Sequence, residues 1–152
     1  MRHPLLSWDI ISEGTSRRLQ MKNDLDKMRS ILGDNDWQCT VSLDTTLVWQ
    51  NKIVVITDSK LKILHASENM FAMNGYKLHE VVGKSPKMFQ GEKTELSERK
   101  KIRIAVELQQ SFETVITNYR KDGEIYVCKI EGYPVFDKVG KLVNFIALES
   151  AA

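Results

Sequence analysis

Hydrophobic positions follow a helical period in the first third of the chain and a strand period in much of the rest. Residues 17–32 carry apolar side chains at alternating spacings of four and three, which predicts an amphipathic helix. These positions, the N-terminal stripe, are Met21, Leu25, Met28 and Leu32. Two explanations of the stripe stay open: it packs on the protein's own sheet, or it forms the seam of a helical pair between two subunits.

The segments on either side of this helix carry weaker signals. Gly14 is expected to separate it from a shorter apolar piece at residues 5–11, and Gly33 is expected to end it. Residues 37–50 fit neither the helical nor the strand period cleanly, and they are predicted as a short helix.

From residue 52 onward, β-branched runs and turn residues alternate in quick succession. Five strands are predicted, at residues 53–56, 61–64, 112–119, 124–133 and 141–149. Short helices are expected at 67–74 and 78–82, and a longer surface helix at 92–109. Because the links within each group of strands are short, neighbouring strands should pair antiparallel. The pattern predicts an α+β fold: a five-stranded antiparallel sheet with helices on one face, preceded by an N-terminal helical extension.

The change of character near residue 50 also sets the domain organisation. Residues 1–50 are predicted to be a helical extension that serves in dimerisation or as a cap, and residues 51–150 to be the folded domain. The whole chain of 152 residues is long enough for one domain with a substantial core. The space between the sheet and its helices is where a small molecule would bind.

Composition and charge exclude several classes of protein. The chain has 22 basic and 20 acidic side chains mixed along its length, which gives no reason to expect a nucleic-acid partner. Its apolar runs are too short to cross a membrane, and Asp9 and Glu13 interrupt the stretch that a secretory signal would need. Cys39 and Cys128 lie too far apart for a disulfide framework or a metal-binding knuckle. We therefore expect a cytoplasmic protein without a metal site.

Several short motifs, in a fixed order, resemble those of a PAS domain. They are Ile56-Thr57-Asp58, Asn74-Gly75-Tyr76, Asn118-Tyr119-Arg120-Lys121-Asp122-Gly123 and Pro134-Val135-Phe136-Asp137. Each motif is short, but together they cover residues 50 to 150, and their order and spacing make the resemblance specific. The resemblance implies the PAS fold and a sensory or interaction role. The layout of the whole chain is similar to that of small stand-alone bacterial PAS proteins.

Within this superfamily the nearest likeness is to the light-oxygen-voltage (LOV) branch, which binds a flavin. The loop Gly83-Lys84-Ser85-Pro86-Lys87-Met88-Phe89-Gln90-Gly91 looks like the signature G-x-N-C-R-F-L-Q-G of that branch. Pro86 stands where the branch has its photoactive cysteine, and Lys87 replaces an arginine that contacts the flavin phosphate. Gln90 matches the signature, and Arg103 resembles the second phosphate-contacting arginine of the branch.

Three more positions correspond, by the same resemblance, to residues that face the flavin ring. Asn118 is kept, whereas Cys128 replaces a second asparagine and Glu149 replaces the signalling glutamine of the last strand. The resemblance thus implies six candidate cofactor-binding residues: Lys87, Gln90, Arg103, Asn118, Cys128 and Glu149. With two ring-reading amides gone, flavin mononucleotide (FMN) is a candidate cofactor that we expect to bind weakly or substoichiometrically. Since Pro86 has no thiol, no light-driven bond to a cysteine is expected at this position.

Each of the less specific candidates also has a purely structural explanation. Asn118 can pair with the backbone at the end of a strand, and Arg103 can belong to a solvated helix face with Arg99, Lys100 and Lys101. Cys128 can be a small buried apolar residue rather than a reactive thiol.

The sequence favours a binding module over an enzyme. It contains no nucleophile and base at a recognised spacing, no phosphate-cradling glycine loop and no metal-ligand cluster. The leading hypothesis is a non-enzymatic, cytoplasmic PAS module that works through ligand- or partner-dependent helix packing. It would act as a homodimer, with a signalling protein as a further partner and with neither nucleic acid nor membrane. Two alternatives are a LOV-like flavin photoreceptor or redox sensor without the cysteine bond, and a small enzyme that uses the pocket.

Overall fold

A computed structural model describes residues 6–37 and 42–152 of the chain. The first element is one continuous helix of 27 residues, α1 (Leu6–Leu32), so the break predicted at Gly14 was wrong. A glycine inside a helix costs only about 1 kcal/mol relative to alanine, which the rest of a long helix offsets. The helix ends where predicted: Gly33 has a φ of 55°, and its N–H donates to the carbonyl of Arg29.

The segment after α1 differs from the short helix predicted over residues 37–50. A two-residue strand, β1 (Asp36–Trp37), pairs with Val135 and Phe136 and extends the sheet. A π-helical turn follows at Thr45–Trp49. Cys39 lies outside the described residues. The second half of this prediction therefore contains a helical turn, Trp37 at its start belongs to a strand, and residues 38–41 lie outside the described residues.

The five predicted strands are all present. They are β2 (Ile53–Asp58), β3 (Ile63–Ala66), β4 (Phe112–Tyr119), β5 (Ile125–Phe136) and β6 (Leu142–Ala151). Every pair is antiparallel, and the strands lie side by side in the order β3-β2-β6-β5-β4, with β1 on the same edge of β5 as β4. The α+β prediction with a five-stranded antiparallel sheet is confirmed, and β1 enlarges the sheet by one short strand.

Short helices cover the inner face of the sheet. These elements are α2 (Met70–Asn74), α3 (Leu78–Val81), a 3-10 turn (Pro86–Phe89) and α4 (Leu96–Glu107). Gly75, with a φ of 79°, ends α2 in the left-handed conformation that glycine adopts most readily. One face of β2 and β3 packs on these elements to form the inner core, whose buried residues are Ile53, Val55, Ile63, Ala66, Met70, Val81 and Phe89.

Helix α1, the predicted N-terminal helical extension, covers the outer face of the sheet, opposite the helices of the inner face. Leu25, Met28 and Leu32 are buried, and Met21 packs against the same cluster. Their partners on the sheet and the π-helical turn are Leu47, Val54, Ile56, Val135, Ile146 and Leu148. The N-terminal stripe is therefore covered by the protein's own sheet, and it is not available as a seam between subunits.

A buried polar contact fixes α1 to β3. One carboxylate oxygen of Asp24 lies 2.9 Å from Nε2 of His65, and the other accepts the backbone N–H of Glu68 at 3.0 Å. Both side chains of the Asp24–His65 pair are buried. Because a buried polar group is costly without its partner, this contact sets the position of α1 along the sheet. In the described part of the chain, no helix is long and apolar enough to span a membrane.

Candidate functional site

A cavity of about 80 Å³ lies between the inner face of the sheet and α4. Alternation along the strands supplies its walls, since every second residue of β2, β5 and β6 points inward. Apolar side chains dominate the lining, which includes Val55, Leu61, Pro86, Phe89, Ile102, Val106, Phe112, Ile130, Phe145 and Ala147. Its apolar lining with a few polar groups is typical of a small-molecule site, but its volume is well below the roughly 300–1,000 Å³ of such sites. A ring system would therefore enter only if the lining side chains move apart.

Among the described residues, four polar side chains line the cavity: Thr57, Gln90, Asn118 and Glu149. Asn118 on β4 and Glu149 on β6 both line it, and both are buried. Glu149 is opposite Ile53 of β2 on one side and Ile130 of β5 on the other. Its carboxyl group makes no hydrogen bond with any described residue, and burial raises the pKa of this group to about 7. Near neutral pH this group is therefore divided between the acid and the carboxylate.

More buried polar groups surround Glu149. Tyr126 and Cys128 lie on the same face of β5, and burial raises the pKa of the phenol and of the thiol, with the charge of Glu149 as the next cause. The Tyr126 hydroxyl and the side-chain amide nitrogen of Asn74 are buried without a hydrogen-bond partner among the described residues. Asn118 and Asn74 lie near this hydroxyl and offset part of the rise in its pKa. This end of the site therefore has unused hydrogen-bonding capacity.

An opening to solvent between the 3-10 turn and α4 borders the cavity. Pro86, Gln90 and Leu61 line both the cavity and this opening. Four basic side chains surround the opening and are called the basic mouth: Lys87, Arg99, Lys100 and Arg103. Among the described residues that line the mouth, Glu107 is the only acidic one. A site that is apolar inside and cationic at its entrance suits a ligand with a flat body and an anionic tail.

Local sequence explains the shape of this opening. The Ser85 side chain accepts the backbone N–H of Lys87 at 3.3 Å, which starts the 3-10 turn, and Pro86 suits the first position because no N–H is needed there. Arg99 donates to the carbonyl of Gly91 at 2.9 Å, which ties α4 to the end of the loop. The turn therefore presents Lys87 towards the same opening that Arg103 reaches from α4.

Phe112 and Gly132 shape the rim of the cavity where β4 pairs with β5. They are direct partners in the register, and a Cβ atom on Gly132 would overlap the Phe112 ring. We expect Gly132→Ala to lower the free energy of unfolding by about 1–3 kcal/mol, because the displaced ring has to enter the cavity or leave its rotamer. Urea unfolding measures this, and Phe112→Ala in the same chain should recover part of the loss. If the double variant is as destabilised as the sum of the single variants, the overlap is not the cause.

The structure gathers five of the six predicted residues around one site. Gln90, Asn118 and Glu149 line the cavity, and Lys87 and Arg103 line the basic mouth. Cys128 is buried beside Glu149 and is not among the cavity-lining residues.

Arg99 and Lys100 were not among the predicted site residues, yet both line the mouth with Arg103. Their spacing of four and three residues before Arg103 on one helix was the available signal. Tyr126 and Asn74 were also missed, because nothing in the sequence indicates that their polar atoms are buried.

Comparisons with known proteins agree with this architecture. The family model described as a PAS domain matches residues 51–149. Phototropin-2 of Oryza sativa subsp. japonica is 40% identical over 87 residues, which are 57% of this chain and 10% of that protein. The blue-light-activated histidine kinase of Brucella anthropi is 32% identical over 97 residues, which are 62% of this chain and 20% of the kinase. The match therefore spans a small part of each of these relatives.

Solved structures show the same likeness. A light-oxygen-voltage domain studied with a flavin analogue superposes with a TM-score of 0.68 and 28% sequence identity, over 74% of this chain and 86% of that one. The similarity to LOV domains therefore holds at the level of sequence and of fold.

Proposed function

Because this chain belongs to the PAS domain family, we propose that it is a non-enzymatic sensory module of cytoplasmic signal transduction, with a flat, anionic heterocycle as its ligand. One observation carries the proposal: an apolar cavity lined by Asn118 and Glu149 shares Leu61, Pro86 and Gln90 with the neighbouring basic mouth. A ring would occupy the apolar part, and a phosphate tail would meet Lys87 and Arg103. We take FMN as the ligand to test, in line with the LOV domains among the similar proteins.

The residues fit FMN in part. Neither Lys87 nor Arg103 has an ion-pair partner among the described residues, so both are free to contact a phosphate. Asn118 offers an amide to the polar edge of the ring, but Cys128 supplies a buried thiol, which is a weak hydrogen-bonding group. When bound, FMN would supply absorption of blue light and redox chemistry. We expect an affinity lower than a full set of amides would give, since part of the polar edge stays unpaired.

Strand β6 offers a route from the ligand to α1. Ala147 and Glu149 face the cavity, while Leu148 between them packs in the cluster with Leu25 and Met28 of α1. A ligand that moves β6 by a fraction of an ångström therefore changes the surface on which α1 packs. The signal would then be a change in the populations of two arrangements of α1 on the sheet between the free and the bound protein.

The basic mouth gives the sharpest test of the ligand class. We expect FMN to bind about tenfold more tightly than riboflavin, which has the same ring and no phosphate, because only FMN engages Lys87 and Arg103. Replacing both residues, K87E together with R103E, should weaken FMN binding by roughly tenfold to a hundredfold and leave riboflavin unchanged. Quenching of flavin fluorescence on titration with the full chain measures both affinities.

Lys101 provides the matched control, since it lies on the same helix and does not line the mouth. K101E changes the net charge by as much as either single replacement, and it should leave the ratio of FMN to riboflavin affinity within twofold. Equal affinity for the two flavins in the unchanged protein would contradict the assigned role of the mouth. Absence of binding for both would contradict FMN as the ligand.

Homodimerisation stays a prediction, and the N-terminal stripe is no longer its seam because it is buried on the protein's own sheet. Sedimentation equilibrium of the full chain over a range of concentrations tests it. A single species of 17.5 kDa at every concentration would contradict a dimer.

A further inference from the structure

Glu149 is the only ionisable residue among the described residues that line the cavity. The groups packed around it are apolar on α4 and the 3-10 turn, and polar but uncharged at Thr57, Asn118 and Gln90. Tyr126 and Cys128 on β5 are the titratable groups that interact with it, and both keep their protons near neutral pH because burial raises their pKa values. Glu149 thus has no cation to pair with inside the site.

The carboxyl group of Glu149 is oriented into a binding cavity and has no hydrogen-bond partner among the described residues. A buried carboxylate without a partner is strongly unfavourable, whereas the neutral acid both donates and accepts a hydrogen bond. A ligand that offers an acceptor atom, such as a ring carbonyl oxygen or ring nitrogen, would accept a hydrogen bond from the neutral acid. The same acceptor atom and the carboxylate would repel each other. The protonation state of one side chain therefore decides how well such a ligand fits.

We propose that Glu149 makes ligand binding proton-dependent: as a neutral acid it donates a hydrogen bond to an acceptor on the polar edge of the heterocycle, and its ionised form excludes that edge. This inference rests on the proposed function, because it assigns a specificity-determining residue within the same cavity. By linkage, binding must then take up a proton from solvent at any pH where the free protein has already lost it.

The expected size of the effect follows from the free protein, in which burial raises the pKa of Glu149 to about 7. If only the acid binds, the fraction of competent protein falls about tenfold between pH 6 and pH 8, and the apparent dissociation constant rises by about the same factor. At pH 8 close to one proton should be taken up per ligand bound, and at pH 6 close to none.

Riboflavin is the right probe, since the phosphate of FMN titrates near pH 6 and would add its own protons. Calorimetric titrations at pH 6 and pH 8, each in two buffers of different ionisation enthalpy, give both the affinity and the proton uptake. E149Q retains a donor that does not titrate, so its affinity should change by less than twofold over this range, with no proton uptake. E113Q, which removes a carboxylate on the outer face of β4, should behave like the unchanged protein.

A second readout needs no ligand. In protein labelled with carbon-13 at the glutamate carboxyl groups, one NMR signal should titrate near pH 7, and it should be missing from E149Q. A Glu149 signal that titrates near pH 4.5, or riboflavin affinity and proton uptake that do not change with pH, would overturn this inference and leave the proposed function standing. Absence of riboflavin and FMN binding at every pH in both proteins would overturn the two together.

Discussion

Met28→Glu is expected to abolish the stable fold, with a loss in free energy of unfolding of roughly 4 kcal/mol or more. Met28 is 0% exposed and lies in the cluster that joins α1 to the outer face of the sheet. The substitution places an unpaired carboxylate there and also removes the packing of a large apolar side chain. Circular dichroism during urea unfolding measures the loss.

Leu19→Glu on the same helix is the matched control, because Leu19 is 58% exposed and lies outside that cluster. Its effect should stay within about 0.5 kcal/mol. A Met28→Glu protein that keeps its stability and changes only from dimer to monomer would contradict the packing described above. Such a result would restore the stripe as a seam between subunits.

Raising the pH from 5 to 8 is expected to lower the stability of the unchanged protein relative to E149Q by about 2–3 kcal/mol. Burial raises the pKa of Glu149 from the ordinary glutamate value of 4.5 to about 7 in the folded protein. Between these values the folded state binds the extra proton, so stability falls as the pH rises through this window and is constant above it. Below pH 4.5 the carboxyl is protonated in both the folded and the unfolded state, so its full contribution to stability is present.

Urea unfolding of both proteins at pH 5, 6, 7 and 8 tests this expectation. The comparison with E149Q is necessary, because the pKa of Glu80, Glu95 and Glu131 is lowered by hydrogen bonds and basic neighbours, which adds pH dependence of the opposite sign at lower pH. Their contributions cancel in the difference between the two chains. Parallel stability curves for the two chains from pH 5 to pH 8 would show that Glu149 is not buried as a lone carboxyl.

The strands and the inner helices could be predicted from sequence because their signals are local. The β-branched run at Ile53 and the turn at residues 121–123 specify strand and hairpin without reference to the rest of the chain. The location of α1 could not be predicted, because a stripe of apolar residues has the same pattern whether its partner is its own sheet or a second subunit. Strand β1 could not be predicted because two residues are too few to show a strand period. Only its pairing with Val135 and Phe136 defines it as a strand.

The candidate site divides in the same way. A resemblance to LOV domains pointed to Lys87, Gln90, Arg103, Asn118 and Glu149, and the fold brings them to one cavity and its mouth. Sequence alone could not give the protonation of Glu149, since it depends on burial from elements far apart in the chain. The sequence also could not show that Cys128 is buried in the core while its neighbours on the same face of β5 line the cavity.

The central claim is that this chain binds a phosphate-bearing heterocycle between the sheet and α4. The most direct test is the nitrogen-15 heteronuclear NMR spectrum of the full chain, recorded with and without excess FMN. Binding in the cavity predicts that the largest shifts lie in the 3-10 turn, in α4 and on β5 and β6 around Ile130 and Glu149. An unchanged spectrum, or shifts confined to the groove between α1 and α2 that Arg17, Asn51 and Ala72 line, would contradict it.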